Sequence, residues 1–114
     1  VMESDGSGNL SWVTPSAGGG GYTVQAKSAG FTAAADYYYV VDSSGGAIAV
    51  TLPNAGTTTS GKTIGFKARH GATNAVTLDR SAGGNIDGAA SNLIISSSMS
   101  SVELICDGAD WWVL

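Results

Sequence analysis

Charged side chains are scarce in this chain, which has 5 basic and 9 acidic residues among 114 and a net charge of −4. The basic residues form no cluster, and this balance argues against a nucleic-acid-binding surface. No apolar run approaches the roughly 18 residues of a membrane span, so we predict no membrane insertion. The single cysteine, Cys106, excludes a disulfide within the chain.

Large aliphatic residues are also few. Leu, Ile, Val and Phe make up about a fifth of the chain, which is near the lower limit for sequences that fold. Gly, Ala, Ser and Thr make up about half of it, and ordering a Gly-rich backbone costs much conformational entropy. We therefore expect a thin core that a partner chain would complete.

One stretch, GTTTSGKT at residues 56–63, matches the phosphate-binding loop of nucleotide-binding proteins. That loop requires a helix that begins at its lysine, because the helix N-terminus holds the phosphates. The residues after Lys62 instead alternate, with Ile64, Phe66 and Ala68 on one face, which is typical of a strand. We interpret the stretch as a Thr- and Gly-rich hairpin loop and predict no nucleotide cofactor.

Other catalytic and metal-binding patterns are weaker. His70 is the only histidine and lies in a turn sequence without a nucleophile signature nearby. One histidine, one cysteine and scattered carboxylates do not make a metal site, and Asp79, Asp87, Asp107 and Asp110 are more typical of turns in which the side chain binds local backbone. We predict no catalytic residue, no metal and no cofactor, and therefore a protein that is not an enzyme.

Alternation of apolar and polar residues runs through most of the chain, as in AIAVTL at 47–52, where Ile48, Val50 and Leu52 share one side. Short alternating segments separated by Gly-, Asn- and Asp-rich turns predict an all-β fold, a small antiparallel sandwich or barrel. Residues 1–21 are predicted to be an N-terminal arm, with a small hairpin and the glycine linker 18–21. Residues 22–114 are predicted to be the β-sandwich domain.

Several predicted strands carry large apolar side chains on both faces. In the final WWVL, Trp111 and Val113 face one way and Trp112 and Leu114 the other. Three interpretations fit: burial between subunits, cover by a folded-over loop, or an aromatic platform for a ligand. We favour burial between subunits, and the candidate interface residues are Trp12, Tyr38, Ile105, Trp111, Trp112 and Leu114.

A series of short motifs then follows in a fixed order over about residues 35–114. It consists of TLP (51–53), GKTI.FK (61–67), N.VTL (74–78), GG..IDG (83–88), SVEL (101–104) and DG..W.V (107–113). In this order and spacing the sequence resembles a small β-rich domain found at the C-terminal ends of bacteriophage tail fibres and related virion proteins.

The resemblance implies a homotrimer on an external appendage of the virion, which holds the fibre chains together and contacts a host cell-surface glycan or protein. The candidate receptor-contact residues are Tyr37, Asn85 and Asn92, because they flank turns. An alternative from another class is a monomeric carbohydrate-binding module in which Trp111 or Trp112 stacks on sugar rings. A third alternative, an envelope-degrading enzyme, has no residues that stand out for it.

Overall fold

The computed structural model describes residues 2–4, 10–12 and 22–114. The described residues contain one short 3-10 turn, Ala55–Thr57, and otherwise strands and loops, which confirms the all-β prediction. The strands in chain order are β1 Met2–Ser4, β2 Leu10–Trp12, β3 Thr23–Lys27, β4 Phe31–Thr32, β5 Tyr37–Val41, β6 Ile48–Thr51, β7 Thr63–Ala68, β8 Val76–Asp79, β9 Leu93–Ile95, β10 Ser100–Cys106 and β11 Trp111–Val113.

The first two strands form a separate two-stranded antiparallel sheet in which Met2 lies opposite Trp12. This pairing agrees with the hairpin predicted in the N-terminal arm. The side chain of Trp12 and the predicted glycine linker at 18–21 lie outside the described residues.

Two further sheets make up residues 22–114. A five-stranded sheet has the order β11-β10-β7-β5-β3, and a four-stranded sheet has the order β4-β6-β8-β9. Between β3 and β8, successive strands alternate between the two sheets. The chain therefore coils around a shared core. The strands of each coil pair with the strands of the preceding coil.

This coiling corrects the prediction of an antiparallel fold. The pairs β3–β5, β5–β7, β4–β6 and β6–β8 are parallel, and antiparallel pairing occurs in the last strands, at β8–β9, β7–β10 and β10–β11. Alternation along a strand reports which face is buried, but it does not report the direction of the neighbouring strand. The loop 53–62 that we interpreted as a hairpin likewise crosses from one sheet to the other.

The core lies between the two sheets and follows the predicted alternation. In β7, Ile64, Phe66 and Ala68 are fully buried, and in the four-stranded sheet Val50 and Leu78 are buried opposite them. Aromatic rings pack from one coil to the next: the ring of Tyr39 stacks on that of Phe66 with 5.8 Å between centroids, and it packs at a tilt against that of Phe31 with 4.6 Å between centroids. These aromatic contacts compensate for the small number of large aliphatic residues.

The two edge strands of the five-stranded sheet, β11 and β3, have different surroundings. At the β11 edge, residues 85–87 add a short parallel segment: Trp111 N donates to Asn85 O at 2.8 Å, and Asp87 N donates to Trp111 O at 2.9 Å. At the other edge, β3 pairs with β5 alone, and four of its five residues, 23–26, are exposed. The β11 edge is thus covered, whereas β3 presents an edge at which the described residues supply no further strand.

Candidate interaction surface

The five-stranded sheet has a second face, directed away from the core, which we call the outer face. Cross-strand register places Val24, Tyr38, Gly65 and Glu103 in one row across it, since residues directly opposite each other in a sheet point to the same side. A second row contains Ala26, Val40, Lys67 and Ser101, and a third contains Thr63, Ile105 and Trp112. Apolar side chains predominate on this face, although no described strand covers it.

The middle of the outer face is shaped by Gly65. A Cβ atom at Gly65 would overlap with the ring of Tyr38, whose Cδ2 and Cε2 atoms are nearest to it. Glycine in a strand often marks such a close approach. The ring of Tyr22 then packs edge-on against Tyr38, with the centroids 5.7 Å apart. The absence of a side chain at Gly65 therefore leaves the space that the ring of Tyr38 occupies.

Tyr22 also connects this pair of rings to a charged residue. Its hydroxyl donates to Oε2 of Glu103 at 3.0 Å. Partial burial raises the pKa of the Tyr22 hydroxyl, although a hydrogen bond with Thr63 acts in the opposite direction. The negative charge of Glu103 raises it further. The hydroxyl therefore stays protonated at neutral pH and keeps donating to the carboxylate.

Trp112 forms the β11 side of the outer face. Its side chain is 39% exposed, and its Nε1 donates to Oδ2 of Asp107 at 2.8 Å. The other carboxylate oxygen of Asp107 accepts from the backbone N–H groups of Ala109 and Asp110, which closes the turn before β11. These hydrogen bonds lower the pKa of Asp107, and the bond from Trp112 has the largest effect. An exposed indole is thus held in one orientation by an ionised carboxylate.

Trp111 points the opposite way, as the alternation predicted. It is fully buried, and its Nε1 donates to the carbonyl oxygen of Pro53 at 3.1 Å. This corrects our expectation that Trp111 is an interface residue, because the side chain is enclosed by its own chain. The 85–87 segment and the 3-10 turn region supply the cover that the final strand needs on that side.

The remaining interface candidates in the described residues lie on or next to the outer face. Tyr38 and Ile105 are half-buried on it, and Leu114 is 70% exposed directly after β11, with its N–H bound to the carbonyl oxygen of Glu103. Sequence reasoning missed Val24, which is 66% exposed at the opposite side of the same face. It also missed the partnership of Gly65 with Tyr38, although a glycine between buried strand residues could have indicated it.

The predicted receptor-contact residues occupy different surroundings. Tyr37 is half-buried, and its ring stacks on that of Tyr39 with 5.5 Å between centroids. The backbone N–H of Asn85 donates a hydrogen bond to Oδ1 of Asp110. Asn92 is exposed, and its Oδ1 accepts from the N–H of Arg80 at 3.1 Å. Asn85 and Asn92 lie in one loop, and residues 87–92 of that loop are all exposed.

The stretch that matches a phosphate-binding loop has no helix at its lysine. Lys62 is followed directly by β7, and its Nζ lies 2.9 Å from Oδ2 of Asp36. Oriented N–H groups at a helix N-terminus are therefore missing where a phosphate would bind. At the surface, Nε2 of His70 lies 3.5 Å from Oδ1 of Asp42. No group of three potential metal-ligating side chains occurs in the described residues.

The described part of the chain also contains no helix with the length and apolar character needed to cross a bilayer. No curated protein was found to match the chain. A protein-family model does match it, over residues 6–112, which is nearly its full length. That model describes the N-terminal part of bacteriophage T4 gp9/10-like proteins. The chain therefore belongs to the bacteriophage T4 gp9/10-like protein family.

Proposed function

We propose that this domain is a non-enzymatic structural module of a phage virion, which assembles as a homotrimer on an external appendage such as a tail fibre and contacts the host cell. Membership of a bacteriophage structural family supports the virion role. The observation that carries the assembly is the apolar outer face, on which Trp112 is 39%, Val24 66% and the adjoining Leu114 70% exposed. Exposed apolar side chains that share one face of a sheet favour an interaction site there.

The trimeric state comes from the resemblance to tail-fibre domains, and the shape of the outer face is compatible with it. The face has two unlike sides, with Trp112 and Leu114 at β11 and Val24 at β3. Unlike sides meet in a head-to-tail contact, which forms a closed ring when the rotation between copies allows it. Three copies form such a ring when each is turned by a third of a circle.

Host contact is proposed for the loop 80–92. Its exposed part, 87–92, is attached to β11, because Asp87 Oδ1 accepts from Val113 N at 2.7 Å. The loop is also closed on itself, because Asn92 Oδ1 accepts from Arg80 N. Binding residues are often found on loops that a rigid scaffold positions. Replacing Ala90 and Ser91, which are exposed in this loop, by glutamate should abolish attachment to host cells while the mass of the assembly stays the same.

A second candidate position within the appendage follows from the family description. The matched model describes the N-terminal part of its proteins, whereas the resemblance in the sequence implied a C-terminal tip. In this second candidate, the domain would join the appendage to the rest of the virion instead of touching the host. Trimeric protein that fails to bind host cells, and that instead binds purified virions lacking the appendage, would support this candidate.

A monomeric carbohydrate-binding module is the other competing function, favoured by the exposed and fixed indole of Trp112. The two functions differ in what Trp112→Ala changes. Loss of glycan binding by a chain that is monomeric before and after the substitution would support the carbohydrate module. Dissociation of a trimer supports the structural function.

A further inference from the structure

We propose that the N-terminal hairpin, β1–β2, docks on the free edge of β3 in the same chain, with β2 antiparallel to β3 and Trp12 opposite Ala26. In the structure the hairpin and β3 belong to separate sheets of two and five strands. Docking joins these into one sheet of seven strands. The inference concerns a single chain and does not depend on the proposed function.

The free edge of β3 is the side that points away from β5. On the other side, Thr23 N donates to Asp36 O at 3.0 Å, directly before β5. Successive residues of a strand direct their backbone groups to opposite sides, so the N–H and C=O groups of Val24 and Ala26 point away from β5. The described residues offer these groups no backbone partner. Such an edge binds an added strand through its backbone.

The hairpin, for its part, lacks a larger sheet. Its strands have three residues each, and they pair only with each other within the described residues. A hairpin of two strands is marginally stable in water and needs a third strand or other packing to persist. The free edge of β3 provides a third strand, so docking satisfies both partners at once.

The length of the connection favours the chain's own β3 and fixes the strand direction. Ten residues, 13–22, lie between Trp12 and Thr23. A parallel arrangement needs a crossover of about a dozen residues or more, whereas an antiparallel pair needs only a turn. A tether this short also holds the hairpin at an effective concentration on the order of millimolar near its own β3. Another copy of the chain reaches that concentration only in a dense solution.

The register is consistent with the sequence of the connection. With Trp12 opposite Ala26, Pro15 falls opposite Thr23, whose backbone groups already face β5. The N–H that proline lacks is therefore not needed at this position. Residues 17–21, Ala-Gly-Gly-Gly-Gly, are left for the turn. Hairpin loops have roughly two to five residues, and glycine takes the conformations that tight turns require.

The distribution of charge supports the same register. Residues 1–21 contain Glu3 and Asp5 and no lysine or arginine, whereas the one charged residue of β3 is Lys27. In the proposed register Lys27 lies opposite Ser11, which lies opposite Glu3 in the hairpin. The two opposite charges thus occupy one row of the joined sheet. A slip of one residue would move them to opposite faces.

Hydrogen exchange of backbone amides, measured by NMR on the complete chain at low concentration, tests the pairing. The Thr23 amide, which is bonded towards β5, is the internal standard. We expect the amides of Val24 and Ala26 to be protected as well, and to exchange at least tenfold faster in Trp12→Pro, which removes a donor to β3. Rapid exchange of both amides in the wild type, beside a protected Thr23, would overturn the proposal.

Engineered cysteines test the register and the origin of the hairpin. Ser11→Cys with Lys27→Cys places two thiols directly opposite each other, with Cα atoms about 4.5 Å apart, a distance that a disulfide spans. Ser11→Cys with Ala26→Cys is the matched control, because these positions face opposite sides of the sheet. The native Cys106 is buried and does not compete for oxidation. Under mild oxidation we expect a disulfide within one chain in the first pair only.

The other outcomes of the cross-linking are equally informative. A disulfide between two chains would overturn docking within the same chain and show that the hairpin pairs with another copy. Equal cross-linking of both pairs, or none in either while the domain stays folded, would overturn the pairing of β2 with β3. Neither readout uses the mass of the assembly, so these failures would leave the proposed function standing.

Discussion

The two adjacent tryptophans of β11 allow one substitution to be tested in two surroundings. Trp111 is fully buried in the core, and its indole N–H is bonded to Pro53 O. Replacing a buried tryptophan by alanine costs about 3–5 kcal/mol. Domains of this kind have net stabilities of roughly 5–15 kcal/mol, so we expect Trp111→Ala to be unfolded or to melt far below the wild type.

Trp112→Ala removes the same side chain from the outer face. With 39% of it exposed, and roughly 150–250 Å² of surface on a tryptophan, about 60–100 Å² is available to a partner. At ~25 cal/mol per Å² this amounts to about 1.5–2.5 kcal/mol for each contact, or an affinity loss of roughly 10- to 60-fold. The chain should still fold, since Asp107 keeps its bonds to the backbone of the turn.

Circular dichroism and sedimentation velocity measure these two effects separately. The expected pattern is loss of the folded signal in Trp111→Ala, and a folded chain of lower mass in Trp112→Ala. Trp111→Phe is a useful milder variant, because it retains a ring in the core and should stay folded. The assignment of the two faces would be refuted if Trp111→Ala melted at the same temperature as the wild type. It would also be refuted if Trp112→Ala left the association constant unchanged.

Three further predictions concern other parts of the domain. Gly65→Ala places a Cβ against the ring of Tyr38 and should destabilise the fold by about 1–3 kcal/mol in chemical denaturation, whereas in a Tyr38→Ala background the same change should cost much less. The pKa of Asp107 is lowered in the folded chain from its ordinary 3.8, so its ionised form contributes stability above that value, and the contribution is lost as the pH falls through the folded-state pKa. Melting temperatures should therefore drop more steeply below pH 4 in the wild type than in Asp107→Asn, and parallel curves would contradict this. Titration with millimolar ATP and magnesium should give no heat, because no helix begins at Lys62, and saturable heat that disappears in Lys62→Ala would contradict that interpretation.

The strands and their faces could be predicted well from the sequence, because alternation directly encodes one buried side. Ile64, Phe66 and Ala68 are buried together, and Trp111 and Trp112 point to opposite sides, as expected. The direction of strand pairing could not be predicted in the same way. A loop such as 53–62 can close a hairpin or cross between sheets with the same residues, and the choice depends on contacts with distant strands.

The turn aspartates show the same limit. Asp79 and Asp107 bind backbone N–H groups two or three residues ahead, as their turn sequences predicted. Asp87 and Asp110 instead bind groups 26 and 25 residues away, at Val113 and Asn85, and so attach the 85–87 segment to β11. These long-range bonds help to enclose Trp111, and they explain why the exposure of the two tryptophans could not be decided from the sequence.

The central claim is that the outer face is a surface for copies of the same chain, and the mass of the protein in solution tests it most directly. Sedimentation equilibrium at neutral pH over a range of concentrations is predicted to give three times the chain mass of 11.4 kDa for the wild type, and a shift toward the single chain for Trp112→Ala. A folded, monodisperse species of one chain at every concentration, with Trp112 and Val24 left in contact with water, would contradict it.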